Sequence, residues 1–164
     1  MKAGIKKILG IGLSGGYSSG NYRKGEIIRA GFELDSSDYS GEGGKYHDEW
    51  MARQNGGGQE LAEDNTGEKA TRVYAGGSLD QEHLERLGLT QENISDELRF
   101  FLKTLGAKTR LDENVTLEHG EFRYSYKIIK NVSAIPVFVG EEEIRYGEPD
   151  VLVFVHYHIN SPVR

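Results

Sequence analysis

The sequence of 164 residues has no cysteine, only three prolines, one tryptophan and no long hydrophobic run. The missing cysteine excludes a disulfide framework, a thiolate metal site and a thiol nucleophile. No apolar run approaches the roughly 18 residues that span a bilayer, so we expect no membrane-spanning helix and no membrane partner. Acidic residues outnumber basic ones, 26 to 20, so the formal net charge is −6 at pH 7. This argues against direct nucleic-acid binding, which depends on neutralising phosphates. The composition predicts a soluble, acidic protein.

The length suits a single domain, and the distribution of charge and glycine sets the N-terminal part apart. Residues 1–30 carry six lysines and arginines against one glutamate, and glycines cluster at 10–20. We therefore expect residues 1–24 to be a flexible, basic segment rich in glycine and serine, followed by one α+β domain over residues 25–164. The apolar stretch Ile8 to Leu13 is shorter than the roughly 7–15 residues of a signal-peptide core, so we expect a cytoplasmic location.

Hydrophobic periodicity predicts helices only in the middle of the chain. Apolar residues between Thr90 and Leu105 form one stripe at helical spacing, and capping-box spacing at Ser78 predicts a short helix over 79–88. The remainder predicts about eight strands. The sequence thus favours an α+β fold in which the main helix (90–105) and the short helix (79–88) pack on one face of a curved, mainly antiparallel sheet.

The last third of the chain predicts strands throughout. Residues 122–128 alternate aromatic and polar side chains, which is typical of a strand with one buried face. Residues 135–146 predict a hairpin turned at Gly140, which would place the acidic run Glu141–Glu143 at a solvated turn and edge. Residues 151–158 begin as a nearly continuous apolar run, so we expect a central strand buried on both faces.

Gly10, Gly12 and Gly15 match the G-x-G-x-x-G pattern of dinucleotide-binding loops. In that motif a helix follows and its N-terminus holds the phosphates. Residues 18–25 contain two glycines and no helical periodicity. We therefore favour a mobile glycine- and serine-rich loop over a nucleotide site.

His156 and His158 are the candidate metal ligands. Residues two apart on a strand point the same way, and two imidazoles on one face begin a metal centre when a carboxylate or a third histidine completes it. The alternative is a histidine pair that is hydrogen-bonded or solvated at the exit of a core strand. The sequence singles out no cofactor. Further ligands would have to come from His47, Asp48, Glu49, Glu60 or His119.

Aromatic residues on the predicted strands form a candidate ligand-binding face. Tyrosine combines an apolar body with a polar tip, so such a sheet can form the floor of a pocket for a ring-bearing or sugar-like ligand. The alternative is that these rings fill the core beneath the 90–105 helix. The candidate ligand-binding residues are Tyr46, Trp50, Tyr74, Tyr124 and Tyr126.

Five short runs follow one another in order along the chain. They are Tyr46-His-Asp-Glu-Trp50, Gly57-Gly-Gln-Glu-Leu61, Arg72-Val-Tyr-Ala-Gly-Gly77, Phe122-Arg-Tyr124 and Val139-Gly-Glu-Glu-Glu-Ile-Arg-Tyr146. Together these runs resemble an uncharacterised bacterial domain family of unknown function, some members of which follow a helix-turn-helix domain. The resemblance implies an α+β fold and assigns no catalytic residues.

These observations favour a non-enzymatic domain that binds a small molecule or a protein partner. The first alternative is a small metal-dependent enzyme of hydrolase or isomerase type, with His156 and His158 as ligands and Glu49 or His47 as proton carrier. The second alternative is a structural or assembly protein that forms a homo-oligomer through its N-terminal arm.

Overall fold

Nine strands and three helices make up the part of the chain that the computed structural model describes, residues 1–52, 54–132 and 134–163. Arg53, Ser133 and Arg164, which the predicted 25–164 domain includes, lie outside the described residues. The elements are α1 (Ala3–Gly15), β1 (Arg23–Arg29), β2 (Phe32–Gly41), β3 (Gly44–Ala52), β4 (Asn55–Asp64), β5 (Lys69–Ser78), α2 (Gln81–Arg86), α3 (Gln91–Leu105), β6 (Val115–His119), β7 (Phe122–Val132), β8 (Val137–Tyr146) and β9 (Val151–Val163).

All nine strands form one open, antiparallel sheet in the order β1-β2-β3-β4-β5-β9-β8-β7-β6. Strands β1–β5 and β6–β9 are two meanders, and the pairing of β5 with β9 joins them. The two helices α2 and α3 lie between the meanders in the chain. The predicted antiparallel α+β class is confirmed, but the sheet has nine strands and not eight. None of the helices in the described residues is long and apolar enough to cross a membrane.

The prediction of a hairpin over residues 135–146 is wrong, because Gly140 lies inside the continuous strand β8. It is paired with Ile128 on β7 and with His158 on β9. A Cβ atom at this position would overlap the ring of Tyr126. The glycine therefore marks a close approach of an aromatic ring to the backbone and does not mark a turn.

The helix predicted over 90–105 is confirmed as α3, Gln91–Leu105. Its first turn carries a reciprocal cap, in which Thr90 Oγ1 accepts from the Asn93 amide at 3.2 Å and Asn93 Oδ1 accepts from the Thr90 amide at 2.9 Å. The short helix α2 is narrower than the predicted 79–88, because Asp80 caps it by accepting from the amide of His83 at 2.9 Å.

Residues 1–24, expected to be a flexible segment, contain helix α1. Ile5, Ile8, Leu9 and Leu13 recur at helical spacing and are buried in the core of the protein. Glycines at positions 10 and 12 let the helix approach its neighbours closely: a Cβ on the first would lie 2.5 Å from the Ala107 Cα, and a Cβ on the second would overlap the ring of Tyr46. The glycine pattern therefore serves helix packing and is not a loop.

The inner face of the sheet is the face whose side chains join the core, and the outer face is the opposite one. On β9, Phe154 and His158 are buried on the inner face, whereas Tyr157 and Ile159 are 46% and 45% exposed on the outer face. The prediction that this strand is buried on both faces is wrong. The core contains residues from α1, α3 and the inner face: Ile5, Ile8, Leu9, Leu13, Tyr46, Ala62, Ala70, Ile94, Leu98, Phe101, Leu102, Tyr124, Tyr126, Ile144, Val153 and Phe154.

Candidate functional site

A row of polar side chains crosses the centre of the inner face. Asp48 on β3, Glu60 on β4, Arg72 on β5 and Asn160 on β9 are direct cross-strand neighbours, and all four are buried. Strand alternation places them where a core of this kind normally has apolar residues. Buried charges are expensive unless they are paired, so this row is a functional candidate as well as a structural feature.

Two ion pairs hold most of these charges. Arg72 pairs with Glu60 and also donates from Nη1 to the backbone carbonyl of Arg110 at 2.9 Å. Arg110 donates from Nε to Glu142 Oε1 at 2.9 Å and from Nη2 to Glu142 Oε2 at 2.8 Å. Its Nη1 lies 3.8 Å from Glu60 Oε1, which links the two pairs. We call Asp48, Glu60, Arg72, Arg110 and Glu142 the buried network.

Aromatic and imidazole side chains complete the surroundings of Glu142. The hydroxyl of Tyr124 donates to Glu142 Oε1 at 2.7 Å, and His158 Nε2 lies 3.3 Å from Oε2. Burial alone would raise the pKa of the Glu142 carboxyl, but Arg110 and His158 hold that pKa well below its usual range. Glu142 is therefore a buried carboxylate that stays ionised.

Burial has the opposite effect on the two histidines of β9. Burial, with a smaller contribution from Arg110, lowers the pKa of His156 to about 4 against the opposing effect of Glu142. For His158, burial together with Arg110 outweighs Glu142 and lowers the pKa to about 3. Both imidazoles are consequently neutral at neutral pH.

A cleft of about 250 Å³ opens onto the buried network. One wall is aromatic: the ring centroid of Trp50 lies 5.8 Å from that of Tyr17, nearly perpendicular to it, and 5.6 Å from that of Tyr22. Leu13 of α1 and Leu98 of α3 also line the cleft. The wall therefore combines rings from the sheet and from the segment that follows α1.

The floor of the cleft is polar. The hydroxyl of Tyr74 donates to Asp48 Oδ1 at 3.0 Å, and the Arg110 Cζ lies 5.8 Å from the Tyr74 ring centroid. His156 lines the same cleft, with its ring centroid 5.6 Å from that of Tyr74. Burial and the nearby Glu60 raise the pKa of Asp48 well above its usual value, although Tyr74 and the two arginines oppose this.

A larger cavity of about 540 Å³ lies at one end of strands β2–β5. Side chains of the outer face line it, among them His47, Leu61, Lys69 and Val163. Its charged residues are partly or fully exposed, and no residue of the buried network lines it. The cleft is the better functional candidate, because convergent buried polar groups and perturbed pKa values meet there.

Of the five aromatic residues predicted to bind a ligand, Trp50 and Tyr74 line the cleft. The other three are core residues. Tyr46 lies against α1, Tyr124 stacks on Phe101 with 5.2 Å between ring centroids, and Tyr126 lies against the backbone at Gly140.

The predicted metal ligands His156 and His158 lie on the inner face, and the structure places Glu142 with them. One ligand atom from each of the three lies within 4.8 Å of the others. The expected donors His47 and Glu49 are on the outer face, where His47 Nδ1 lies 2.6 Å from Asp38 Oδ1. They cannot carry protons for a metal at the histidine pair.

Other expected metal donors are engaged elsewhere. Asp48 and Glu60 belong to the buried network, and His119 lies 2.9 Å from the carboxylate of Glu97. The residues that sequence analysis missed are Glu142, Arg110, Arg72, Tyr17 and Tyr22.

A signal for Glu142 was present in the sequence. Phe138, Gly140, Glu142 and Ile144 alternate along one strand, which would have placed this carboxylate on the buried face. Arg110 carries no such signal, because it lies in the irregular segment after α3 with a positive φ of 56°.

Comparisons of the chain with protein-family models, with curated proteins and with solved structures find no match. The geometry of the cleft therefore carries the functional argument.

Proposed function

We propose that this protein is a non-enzymatic binding domain whose small ligand occupies the cleft. The observation that carries the proposal is the meeting of an aromatic wall and a buried charged floor in one cavity of about 250 Å³. Ligand sites typically combine an apolar or aromatic lining with a few convergent polar groups. A cavity slightly below the roughly 300–1,000 Å³ of drug-sized ligands favours a molecule with a single ring.

The pairing of the floor residues supports binding over catalysis. Arg110 uses two donors on Glu142, and Tyr74 donates to Asp48, so these groups are held in fixed positions. Fixed polar groups lower the entropic cost of orienting a ligand. We place α1 and α3 over the inner face, where Leu13 and Leu98 close the cleft from the helix side. The cytoplasmic location and the bacterial family assignment stay predictions.

A fragment screen monitored by ¹⁵N NMR and by thermal shift tests this function. We expect single-ring polar fragments to shift the indole N–H signal of Trp50, the only tryptophan in the chain, and to raise the melting temperature. Tyr74→Phe should lower the affinity for these fragments several-fold. The matched control is Tyr157→Phe, a tyrosine on the exposed outer face. Fragments that leave the Trp50 signal unchanged and instead shift residues of the outer face would contradict the proposal.

Metal binding is the second candidate, because Glu142, His156 and His158 bring three ligand atoms within 4.8 Å of one another. Two neutral imidazoles and an ionised carboxylate are suitable donors for zinc, iron, nickel or manganese. Arg110 already holds both oxygens of Glu142, which opposes the approach of a cation and ranks this function second.

Elemental analysis after supplementation with each metal distinguishes the two candidates. About one equivalent of metal that is lost in His156→Ala, but retained in His83→Ala on the exposed helix α2, would favour the metal function. No bound metal above background would reject it. An oligomer built through a free N-terminal arm finds less support, because the apolar residues of α1 are used in the core of the same chain.

A further inference from the structure

We propose that the ligand of the cleft carries a cationic nitrogen, an amine or amidine on a small ring, which binds the carboxylate of Asp48. This inference rests on the proposed function and names the chemical class of its ligand. Two observations carry it. The described residues of the buried network have one more negative than positive charge, and Asp48 is the network carboxylate that lines the cleft.

Within the described residues, the network contains three carboxylates and two guanidinium groups. Arg72 pairs with Glu60, and Arg110 pairs with Glu142. Asp48 is left with the neutral hydroxyl of Tyr74 on its Oδ1 as its hydrogen-bond partner. Among the residues that the structure describes, one negative charge of the network therefore has no cation of its own. A buried charge in that situation either takes up a proton or requires a cationic partner.

The histidines of β9 do not balance this charge. His158 Nε2 lies 3.3 Å from Glu142 Oε2, and among the described residues neither His156 nor His158 pairs with Asp48. Asp48, which lines the cleft, therefore lacks a charged partner and holds a proton until a cation replaces it.

The remaining charges around the cleft leave this position open to a cation. Arg99 pairs with Asp96 on its own helix, and Lys24 lies at the rim with Nζ 5.9 Å from the ring centroid of Tyr22. Asp35 also lines the cleft, and its Oδ1 accepts from the Gly25 amide at 2.8 Å. Arg99 and Arg110, the two guanidinium groups of the lining, each have a carboxylate partner other than Asp48.

The aromatic wall suits the same ligand. Trp50 follows Asp48 by two residues on β3, so both side chains project from the inner face into the cleft. Aromatic faces attract cationic nitrogen, and Trp is the strongest of them. A ring with an attached amidinium could contact the aromatic wall while its two N–H groups donate to one carboxylate.

Binding should depend on pH because the cation displaces a proton. Four neighbours influence the protonation of Asp48. Glu60 favours it, whereas Tyr74, Arg72 and Arg110 oppose it. His156, Asp35, Lys24 and Arg99 are the other charged or titratable groups of the lining. As pH rises through the raised pKa of Asp48, a growing fraction of this carboxyl is already ionised. The affinity for the cationic ligand should therefore increase with pH.

The test compares benzamidine with its neutral isostere benzamide and with benzoate, using Trp50 fluorescence and the Trp50 indole NMR signal. We expect benzamidine to bind at least tenfold more tightly than either other probe at pH 8. We also expect at least a threefold loss of benzamidine affinity at pH 5.5. Calorimetry in buffers of different ionisation enthalpy should detect protons released on binding at the lower pH.

Variants test the role of the Asp48 carboxylate. Asp48→Asn should lower the affinity for benzamidine at least tenfold. The matched control Asp38→Asn, at an exposed carboxylate outside the cleft, should change the affinity less than threefold. Equal binding by Asp48→Asn would overturn the inference. If that variant fails to fold, the pH dependence and proton release of the unmodified protein decide the question.

Benzoate that perturbs Trp50 more strongly than benzamidine would also overturn the inference, but it would leave the proposed binding function intact. If none of the three probes perturbs Trp50, the cationic-ligand inference is rejected. The fragment screen described above then tests the broader function separately.

Discussion

The buried side chains of Arg110 and Glu142 form a bidentate ion pair with N···O distances of 2.9 and 2.8 Å. The pair joins the irregular segment after α3 to the middle of β8 and lies beneath the cleft. Arg110 has a left-handed backbone with φ of 56°, a conformation that costs about 1–2 kcal/mol for a residue with a side chain. The two hydrogen bonds to Glu142 offset this strain.

Removal of the Glu142 charge should strongly destabilise the protein. Glu142→Gln leaves the Arg110 guanidinium buried beside a neutral amide that can accept only part of its hydrogen bonds. Breaking one side of a buried pair costs about 3–5 kcal/mol. We expect a loss of that size in the free energy of unfolding, measured by urea denaturation and followed by circular dichroism.

The matched control is Glu143→Gln, on the next residue of the same strand. Glu143 pairs at 3.0 Å with Arg145 on the outer face, where solvent screens the interaction. A pair of this kind contributes about 0–1 kcal/mol. Equal destabilisation by the two substitutions would show that the buried pair has no special role.

The outcome for Glu142 illustrates what sequence reasoning could predict. Apolar periodicity correctly located α3, and alternation correctly indicated the strands around Tyr124 and the shared face of His156 and His158. Gly140 leads the sequence pattern to predict a turn at the acidic run 141–143, which is wrong because this run lies inside β8. A glycine that admits an aromatic ring and a glycine that makes a turn look the same in the sequence.

The remaining features of the site depend on long-range contacts. Arg110 lies 32 residues before Glu142 in an irregular segment, so only the tertiary structure brings these two charges together. Arg72 lies 12 residues after Glu60, and the register of β4 with β5 makes them neighbours. Helix α1 was missed because its glycines lower helix propensity, whereas their value in close packing against Tyr46 appears only in the tertiary structure.

The buried His158 should make the protein less stable in acid. Its pKa is about 3 in the folded protein and 6.5 in the unfolded chain, so unfolding takes up a proton between these values. The free energy of unfolding should therefore fall as pH decreases from 6.5, by up to about 1.4 kcal/mol per pH unit for this one site. His158→Gln should flatten the slope between pH 6.5 and 5, measured by urea denaturation at each pH.

An exposed histidine provides the comparison for that slope. His83 lies at the start of α2, beside Asp80. His83→Gln should leave the slope between pH 6.5 and 5 close to that of the unmodified protein. If both substitutions flatten it equally, burial of His158 is not the cause.

Asp48→Asn should stabilise the protein in the absence of ligand. Burial and Glu60 raise the pKa of this carboxyl in the folded state, so its contribution to stability is present at low pH and is lost as pH rises through the folded pKa. The gain in unfolding free energy should appear above pH 4 and grow towards neutral pH. It amounts to about 1.4 kcal/mol for each tenfold change in the acid dissociation constant of Asp48.

Asp38→Asn is the control for this gain, because Asp38 is an exposed carboxylate that pairs with Arg23 and His47. Those contacts lower the pKa of Asp38, so this substitution should be slightly destabilising at neutral pH. Destabilisation by Asp48→Asn at pH 7 would contradict the charge imbalance of the buried network.

Substitution of the α1 glycines tests whether the N-terminal helix packs as the structure places it. A Cβ at position 12 would overlap the ring of Tyr46, and one at position 10 would lie 2.5 Å from the Ala107 Cα. Overpacking of this kind costs about 1–3 kcal/mol, so Gly12→Ala and Gly10→Ala should each lower the free energy of unfolding by that amount.

Gly15→Ala in the same helix is the matched control. Its Cβ would approach only the Tyr39 ring, at an ordinary 3.9 Å, so the gain in helix propensity of about 0.5–1 kcal/mol should remain. Thermal and urea denaturation of the three variants should therefore differ in sign. If alanine stabilised all three positions alike, the glycines would act only through backbone flexibility and α1 would not be packed against Tyr46 and Ala107. The substitution is the same at all three positions. Changes of opposite sign in the free energy of unfolding would therefore reflect the different contacts at each position.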